Sequence, residues 1–345
     1  MKAVQYRRHG SPDVLEYVDV VDPEPGTGEV LIAVRAAALN RLDLLQREGP
    51  PVVPGFTLPH IAGMDIAGEI VETGPDVHSL TVGTRVLVNP SLFCGWCEFC
   101  RRGDNAMCPN GSVIGASRSG GYAELVVAPE THVYPVPDRV SDVHAATIPT
   151  AFSTAWHALM STGALQPGEV LVVHAAGSGV SVAAIQLAKR CGATVIATSR
   201  SDDKLALASH LGADLVVNSR SDDVVARVRH ATDGRGADMV FDHVGPALFT
   251  ESLFSLRPRG RLVFAGTTTG TEAMFNLAYA YHFGLRILGS DPYQYAEFER
   301  MLEFYWRSDV DAVVAAELPL ARAADAQRLL ASEHVAGKVV LLPEG

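Results

Sequence analysis

Four cysteines fall within fifteen residues, as Cys94-x2-Cys97-x2-Cys100-x7-Cys108. Thiolates at this spacing can close a tetrahedral sulfur cage, the donor set that Zn²⁺ takes in a closed structural site. With all four positions filled by protein, such a metal supplies folding energy, roughly 10–16 kcal/mol by analogy with zinc-finger peptides, and no chemistry. Free thiols and an iron–sulfur cluster are the rivals, the cluster because Cys108-Pro109 echoes the end of a ferredoxin motif; the ferredoxin spacing closes with a shorter last gap. The expectation is one structural Zn²⁺ per chain. Clustered thiols also suit a reducing compartment better than a disulfide framework.

A second stretch, residues 171–189, reads strand, small-residue turn, helix. Val170, Leu171, Val172 and Val173 form an apolar run of the kind buried on both faces of a sheet. Ala175, Ala176, Gly177, Ser178, Gly179, Val180 and Ser181 follow, and Val182, Ile185 and Ala188 then recur at helical spacing. Small side chains let a backbone approach a pyrophosphate, and the free N–H groups of a helix N-terminus point at it. The fingerprint G-x-G-x-x-G is incomplete, since Val182 stands at its third glycine counted from Gly177. A buried strand-to-helix turn without a ligand would look similar; the regular alternation downstream favours the nucleotide. A membrane span is disfavoured by His174, Gln186 and the glycines and serines in mid-stretch.

The next strand-like run ends in Ser199-Arg200-Ser201. An NAD site usually carries an acid there for the ribose hydroxyls. Ser199, Arg200 and, one helical turn on, Lys204 instead suit a 2′-phosphate, so the expected cofactor is NADPH. A solvated surface face is the alternative for Arg200 and Lys204. Asp202 and Asp203 fall at a helix start, where capping suffices.

These motifs sit in two kinds of chain. Up to about residue 125, short strand-like runs such as residues 30–34, 66–72 and 85–88 are punctuated closely by Gly and Pro. Residues 143–168 carry no formal charge and read as a buried hinge and connecting helix. From Glu169, strands near 170–174, 193–198, 214–217, 238–242, 260–265 and 285–288 alternate with helices, the grammar of a doubly wound parallel six-stranded sheet. Residues 297–305 then form an amphipathic helix and residues 339–342 a last strand. The aromatic-rich residues 279–283 could wall the substrate pocket or pack the core, and the core is expected. With 345 residues there is length for two cores. A net charge of −11 disfavours nucleic acid or an anionic membrane surface as main partner. The N-terminus shows no apolar signal region, so a cytoplasmic protein is expected.

Taken end to end, the chain resembles the medium-chain dehydrogenase/reductase superfamily, most closely its quinone oxidoreductase-like branch. The residues carrying the match are 40–43 (Asn-Arg-Leu-Asp), 59–68, the cysteine lobe, 121–124, 174–189, 241–245, 265–267 and 337–341. The resemblance implies an α/β protein: a GroES-like β-rich catalytic domain over residues 1–145 and 291–345, with the zinc lobe at about 91–111, and a Rossmann NADP-binding domain over 146–290. It also implies a homodimer or homotetramer acting on a small molecule, with the cofactor between the domains.

The departures from that family pattern matter as much. Zinc-dependent alcohol dehydrogenases of the superfamily carry a Cys at the position of Asn40, a His-Glu pair at Met64-Asp65, and a Cys or acidic ligand near Thr150. Here the structural-zinc cysteines are kept and the catalytic ligands are not. Hydride transfer to a plain ketone builds a full charge on one oxygen, which a Lewis-acid metal normally meets. A conjugated acceptor, whether quinone, enone, enal or enoyl thioester, spreads that charge, and a few neutral donors then suffice. Asn40, Thr150 and Thr154 are expected around nicotinamide and substrate, Asp43 fixing the loop of Asn40. Each also has a structural reading, as turn residue, helix cap or local pair. Val244, Gly266 and Thr267 at later strand ends are expected on the nicotinamide side, and Lys338 at the pyrophosphate. His174, His243 and Cys191 read as packing or local hydrogen bonding. A zinc-dependent alcohol dehydrogenase, and a non-catalytic NADPH-binding sensor or structural protein, are the competing functions.

Overall fold

In the computed structural model, which describes residues 1–50, 52–332 and 334–344, the chain resolves into two units. One takes Met1–Thr150, Gln294–Arg307 and Asp311–Gly345; the other takes Ala151–Tyr293 and Ser308–Val310.

The first unit is built on a seven-stranded sheet. Its path runs Val133–Pro135, Arg85–Val88, Asp65–Thr73, Glu29–Ala38, Lys338–Leu342 and Val314–Pro319, with Leu125–Pro129 also paired to Glu29–Ala38. A three-stranded sheet of Glu16–Asp19, Lys2–Tyr6 and His60–Ile61 accompanies it. Between them lies a core of Tyr6, Val30, Ile32, Val34, Ile66, Ile70, Val86, Val339 and Leu341. Each fully buried aliphatic side chain there contributes about 1.5–3 kcal/mol against leaving it in water.

Register in this sheet decides what meets at its end. Lys338–Leu342 pairs antiparallel with Glu29–Ala38, Val340 opposite Ala38 and Leu341 opposite Ala37. On its other edge Glu29–Ala38 pairs with Asp65–Thr73, placing Ala38 opposite Asp65. Continuing the first register outward brings Lys338 across from Asn40. Three segments far apart in sequence thus deliver Asn40, Asp65 and Lys338 to one corner.

The second unit holds a six-stranded, wholly parallel sheet. Its strands in chain order are Val170–Val173, Thr194–Ser199, Leu215–Asn218, Ala237–Asp242, Leu256–Phe264 and Arg286–Gly289, and their spatial order is 3-2-1-4-5-6. All six expected strands are present. The order reverses between the first and fourth strands, and the carboxyl ends at such a reversal are where doubly wound sheets take ligands. The helix Gly179–Cys191 buries Val182, Ile185 and Ala188, the spacing read from sequence, and ends at Gly192 in the left-handed conformation that glycine adopts without strain (φ 85°).

The structure departs from the sequence reading in two places. The aromatic residues 279–283 are not a core wall: in the helix Leu277–His282 only Ala280 is buried, and Tyr281 is 81% exposed. One stripe packs, Tyr279 against Phe254 and Phe283, and the opposite stripe faces solvent. The strand Val314–Pro319 and the helix Ala323–Ala331 are elements the pattern did not announce. Among the described residues no helix is long and apolar enough to cross a membrane.

Candidate active site

The cysteine lobe brings its four sulfurs together. Cys97 Sγ lies 3.5 Å from Cys100 Sγ and 3.9 Å from Cys108 Sγ, and Cys94 Sγ lies 3.9 Å from Cys100 Sγ. A tetrahedron with Zn–S bonds of about 2.3 Å has edges of about 3.8 Å. The backbone N–H groups of Cys94 and Cys97 each donate to a cage sulfur, at 3.4 Å. Spacing, donor type and N–H···S bonds all fit a zinc ion, which Cys94, Cys97, Cys100 and Cys108 would hold. Among the described residues this is the one group of three or more His, Cys, Asp or Glu able to hold a metal.

At the corner of the first unit's sheet, Asp65 is the centre of a closed cluster. Its Oδ1 accepts from the Thr150 N–H at 2.9 Å and the Thr150 hydroxyl at 2.5 Å. Its Oδ2 accepts from Asn40 Nδ2 at 2.9 Å and from Lys338 Nζ at 2.8 Å. Lys338 Nζ also donates to Asn40 Oδ1 at 2.7 Å. The ion pair is almost dry, with side chains 7% (Lys338) and 0% (Asp65) exposed. Sequence reading sends Lys338 to a pyrophosphate; in the structure its ammonium is instead paired inside this cluster. Thr150, expected as a polar group around nicotinamide and substrate, spends its hydroxyl hydrogen on Asp65.

Behind the cluster, Asp43 Oδ2 accepts the backbone N–H of Asn40 at 2.7 Å, so the loop carrying Asn40 is pinned by the first turn of its own helix. The Tyr122 hydroxyl donates to the same oxygen. Asp43 Oδ1 is buried with no partner among the described residues. Burial therefore pushes the Asp43 carboxyl up to about 6, against the opposing pull of the Asn40 N–H, the Lys338 charge and the Tyr122 hydroxyl. Thr154, four residues after Thr150 on the helix Pro149–Trp156, is not drawn into the cluster.

In the second unit, Ser178 caps the helix Gly179–Cys191, its side chain accepting the Ser181 N–H at 3.0 Å. Ala175 takes a positive φ of 51° just before the turn, and Val180 sits in the first helical turn. A Cβ on Gly177 would stand 2.5 Å from Lys204 Cδ, so the bare glycine lets the Lys204 side chain cross over the turn. Ser199 ends its strand buried, accepting the Ser201 N–H at 3.2 Å, while Arg200 is exposed. At the fourth and fifth strand ends, Asp242 Oδ1 accepts the N–H groups of Val244 and Gly245, at 2.7 and 3.0 Å. A Cβ on Gly266 would meet the His243 carbonyl at 2.4 Å, and Thr267 follows directly. At Gly177 and Gly266 the absent side chains make room for the Lys204 stem and the His243 carbonyl, and the Ser178-capped N-terminus of the helix Gly179–Cys191 is the kind of helix end that fits a dinucleotide pyrophosphate.

His174 and His243 are structural, as read. His174 bonds Thr198 and Ser252, and His243 Nε2 lies 3.0 Å from Ser178 Oγ and 2.8 Å from Ser181 Oγ. Burial pushes His174 down to about 4 and lowers His243, so both stay neutral at ordinary pH. Asp65 is the residue that sequence reasoning passed over. Its signal was there: Asp65 and Lys338 are opposite charges, each opening an apolar strand run, and a buried charge needs a partner.

The comparisons with known proteins agree with this architecture. Residues 26–138 match the family described as alcohol dehydrogenase GroES-like domain, and residues 179–307 the family described as zinc-binding dehydrogenase. An acryloyl-coenzyme A reductase of Metallosphaera sedula is 30% identical over 342 residues, 99% of each chain. A quinone oxidoreductase of Pseudomonas aeruginosa is 31% identical over 351 aligned positions, again 99% of each. A crystal structure described as NAD-dependent alcohol dehydrogenase superposes with a TM-score of 0.96 at 43% identity, covering 99% of both chains.

Proposed function

Because the chain belongs to the medium-chain dehydrogenase/reductase superfamily and is an oxidoreductase of that family, we propose that it reduces a conjugated acceptor with NADPH and without a catalytic metal. The acceptor is a quinone or an α,β-unsaturated carbonyl: an enone, enal or enoyl thioester. A bound reduced nicotinamide would supply the hydride. Gly177, Ser178, Gly179 and Val180 would receive its pyrophosphate, Ser199, Arg200 and Lys204 its 2′-phosphate, and Val244, Gly266 and Thr267 the nicotinamide side.

One observation carries the reading. The positions that hold a catalytic zinc in metal-dependent members are occupied by Asn40, Met64 and Thr150, and the remaining carboxylate, Asp65, already accepts four hydrogen bonds. A carboxylate has about four lone-pair sites, so Asp65 has none left for a metal. Such a cluster can orient a carbonyl and meet a delocalised charge; it does not fit a Lewis-acid ion. Similarity to an acryloyl-coenzyme A reductase and a quinone oxidoreductase supports the acceptor class. The similar structure described as NAD-dependent makes the nucleotide the point to measure first.

The test is nucleotide oxidation by the purified protein with quinones, 2-alkenals and enoyl thioesters, run with NADPH and with NADH, beside a metal count. Turnover of a conjugated acceptor at one zinc per chain is expected. Ketone reduction stimulated by added zinc, with no turnover of conjugated acceptors, would restore the alcohol dehydrogenase. Nucleotide binding without any turnover would make the chain a sensor or structural protein.

A further inference from the structure

Donors and acceptors in the Asp65 cluster do not balance. An ammonium carries three N–H groups. Two of those on Lys338 reach Asn40 Oδ1 and Asp65 Oδ2, and among the described residues no acceptor takes the third. This donor belongs to a side chain more than nine-tenths buried. Its counter-ion keeps the pair neutral overall, which lowers the cost of holding a cation out of water. Asn40, Thr150 and the sheet register hold that pair in one place. What remains is a fixed positive N–H with no acceptor among the described residues.

We propose that Lys338 is a catalytic residue: its third N–H donates to the acceptor oxygen on which negative charge collects during reduction. The proposal deepens the function above and rests on it. Hydride adds at the β-carbon and breaks the C=C π bond. That pair moves to the bond between the α-carbon and the carbonyl carbon, and the carbonyl π pair becomes a lone pair on the oxygen. The acceptor gains two electrons that the nucleotide loses. Lys338 stabilises the enolate oxygen and keeps its proton, and a solvent proton ends on the α-carbon. Asp65, Asn40 and Thr150 are positioning residues for Lys338.

The experiment compares Lys338→Met, Lys338→Arg and the double variant Asp65→Asn/Lys338→Met with the wild type. Removing Lys338 alone strands a buried carboxylate and can unfold the protein; the double variant removes both charges and keeps the test open. Each variant is followed by thermal unfolding, by NADPH affinity from fluorescence titration, and by kcat at saturating nucleotide. Expected is a drop in kcat of about 10²–10³ in folded Lys338→Met or the double variant, partial recovery in Lys338→Arg, and NADPH affinity within about threefold of wild type. A loss confined to NADPH affinity, with kcat kept, overturns the proposal and makes Lys338 a phosphate ligand. Unchanged kcat in the folded double variant overturns it too. A wild type that reduces ketones but no conjugated acceptor sinks the functional reading alone, and the same kcat comparison with the ketone still decides Lys338. A wild type that oxidises nucleotide with no acceptor sinks both.

Discussion

The phenol of Tyr122 donates to Asp43 Oδ2 at 3.1 Å while the other carboxyl oxygen of Asp43 has no partner among the described residues. A carboxyl half satisfied in a dry place is held to its proton by burial, up to about 6. The unfolded chain releases that proton near its ordinary value of about 4. Between those values the folded state binds more protons than the unfolded one, so stability falls as pH rises through this window. The loss is about 3 kcal/mol by linkage. Asp43→Asn should therefore gain stability relative to wild type between pH 4.5 and pH 7.5 in denaturant titrations. Parallel pH profiles for the two proteins would remove this account of Asp43.

The sulfur cage makes a separable prediction. Metal analysis should find one zinc per chain, and Cys100→Ser should lose it. Because all four positions are closed by protein, loss of the ion should lower the thermal midpoint by several degrees more than it lowers kcat at a temperature where the variant is folded. A variant without zinc that unfolds like wild type would show that the thiols stand alone. An as-purified brown protein would identify an iron–sulfur cluster instead.

Gly177 and Lys204 should behave as one unit in nucleotide choice. Lys204→Ala and Arg200→Ala are each expected to raise the NADPH KM about tenfold or more, the loss of one charge-assisted hydrogen bond, with little change for NADH. In Gly177→Ala the new methyl would stand 2.5 Å from Lys204 Cδ. A flexible side chain can swing aside, so the protein should fold normally and show the same loss of NADPH preference as Lys204→Ala. Equal effects on both nucleotides would return Arg200 and Lys204 to the solvated surface.

The second unit was open to reading because its strands are buried on both faces and appear as unbroken apolar runs, Val170–Val173 being the clearest. The strand Val314–Pro319 hid because its burial alternates between half-buried and exposed residues, leaving no apolar run to see. Asn40, Thr150 and Lys338 could each be nominated one at a time. Their meeting at Asp65 could not, because it depends on two strand registers joining positions 40, 65 and 338. Local pattern announces elements; which charges end up as neighbours is set by pairings that span nearly the whole chain.

The strand Lys338–Leu342 has a consequence for biosynthesis. Asp65 emerges from the ribosome more than two hundred residues ahead of its counter-ion. A polypeptide released before Lys338 would have to bury a lone carboxylate or leave the first sheet unfinished. The closing salt bridge thus makes synthesis through Lys338 a condition for the β-rich half to bury Asp65 beside its counter-ion.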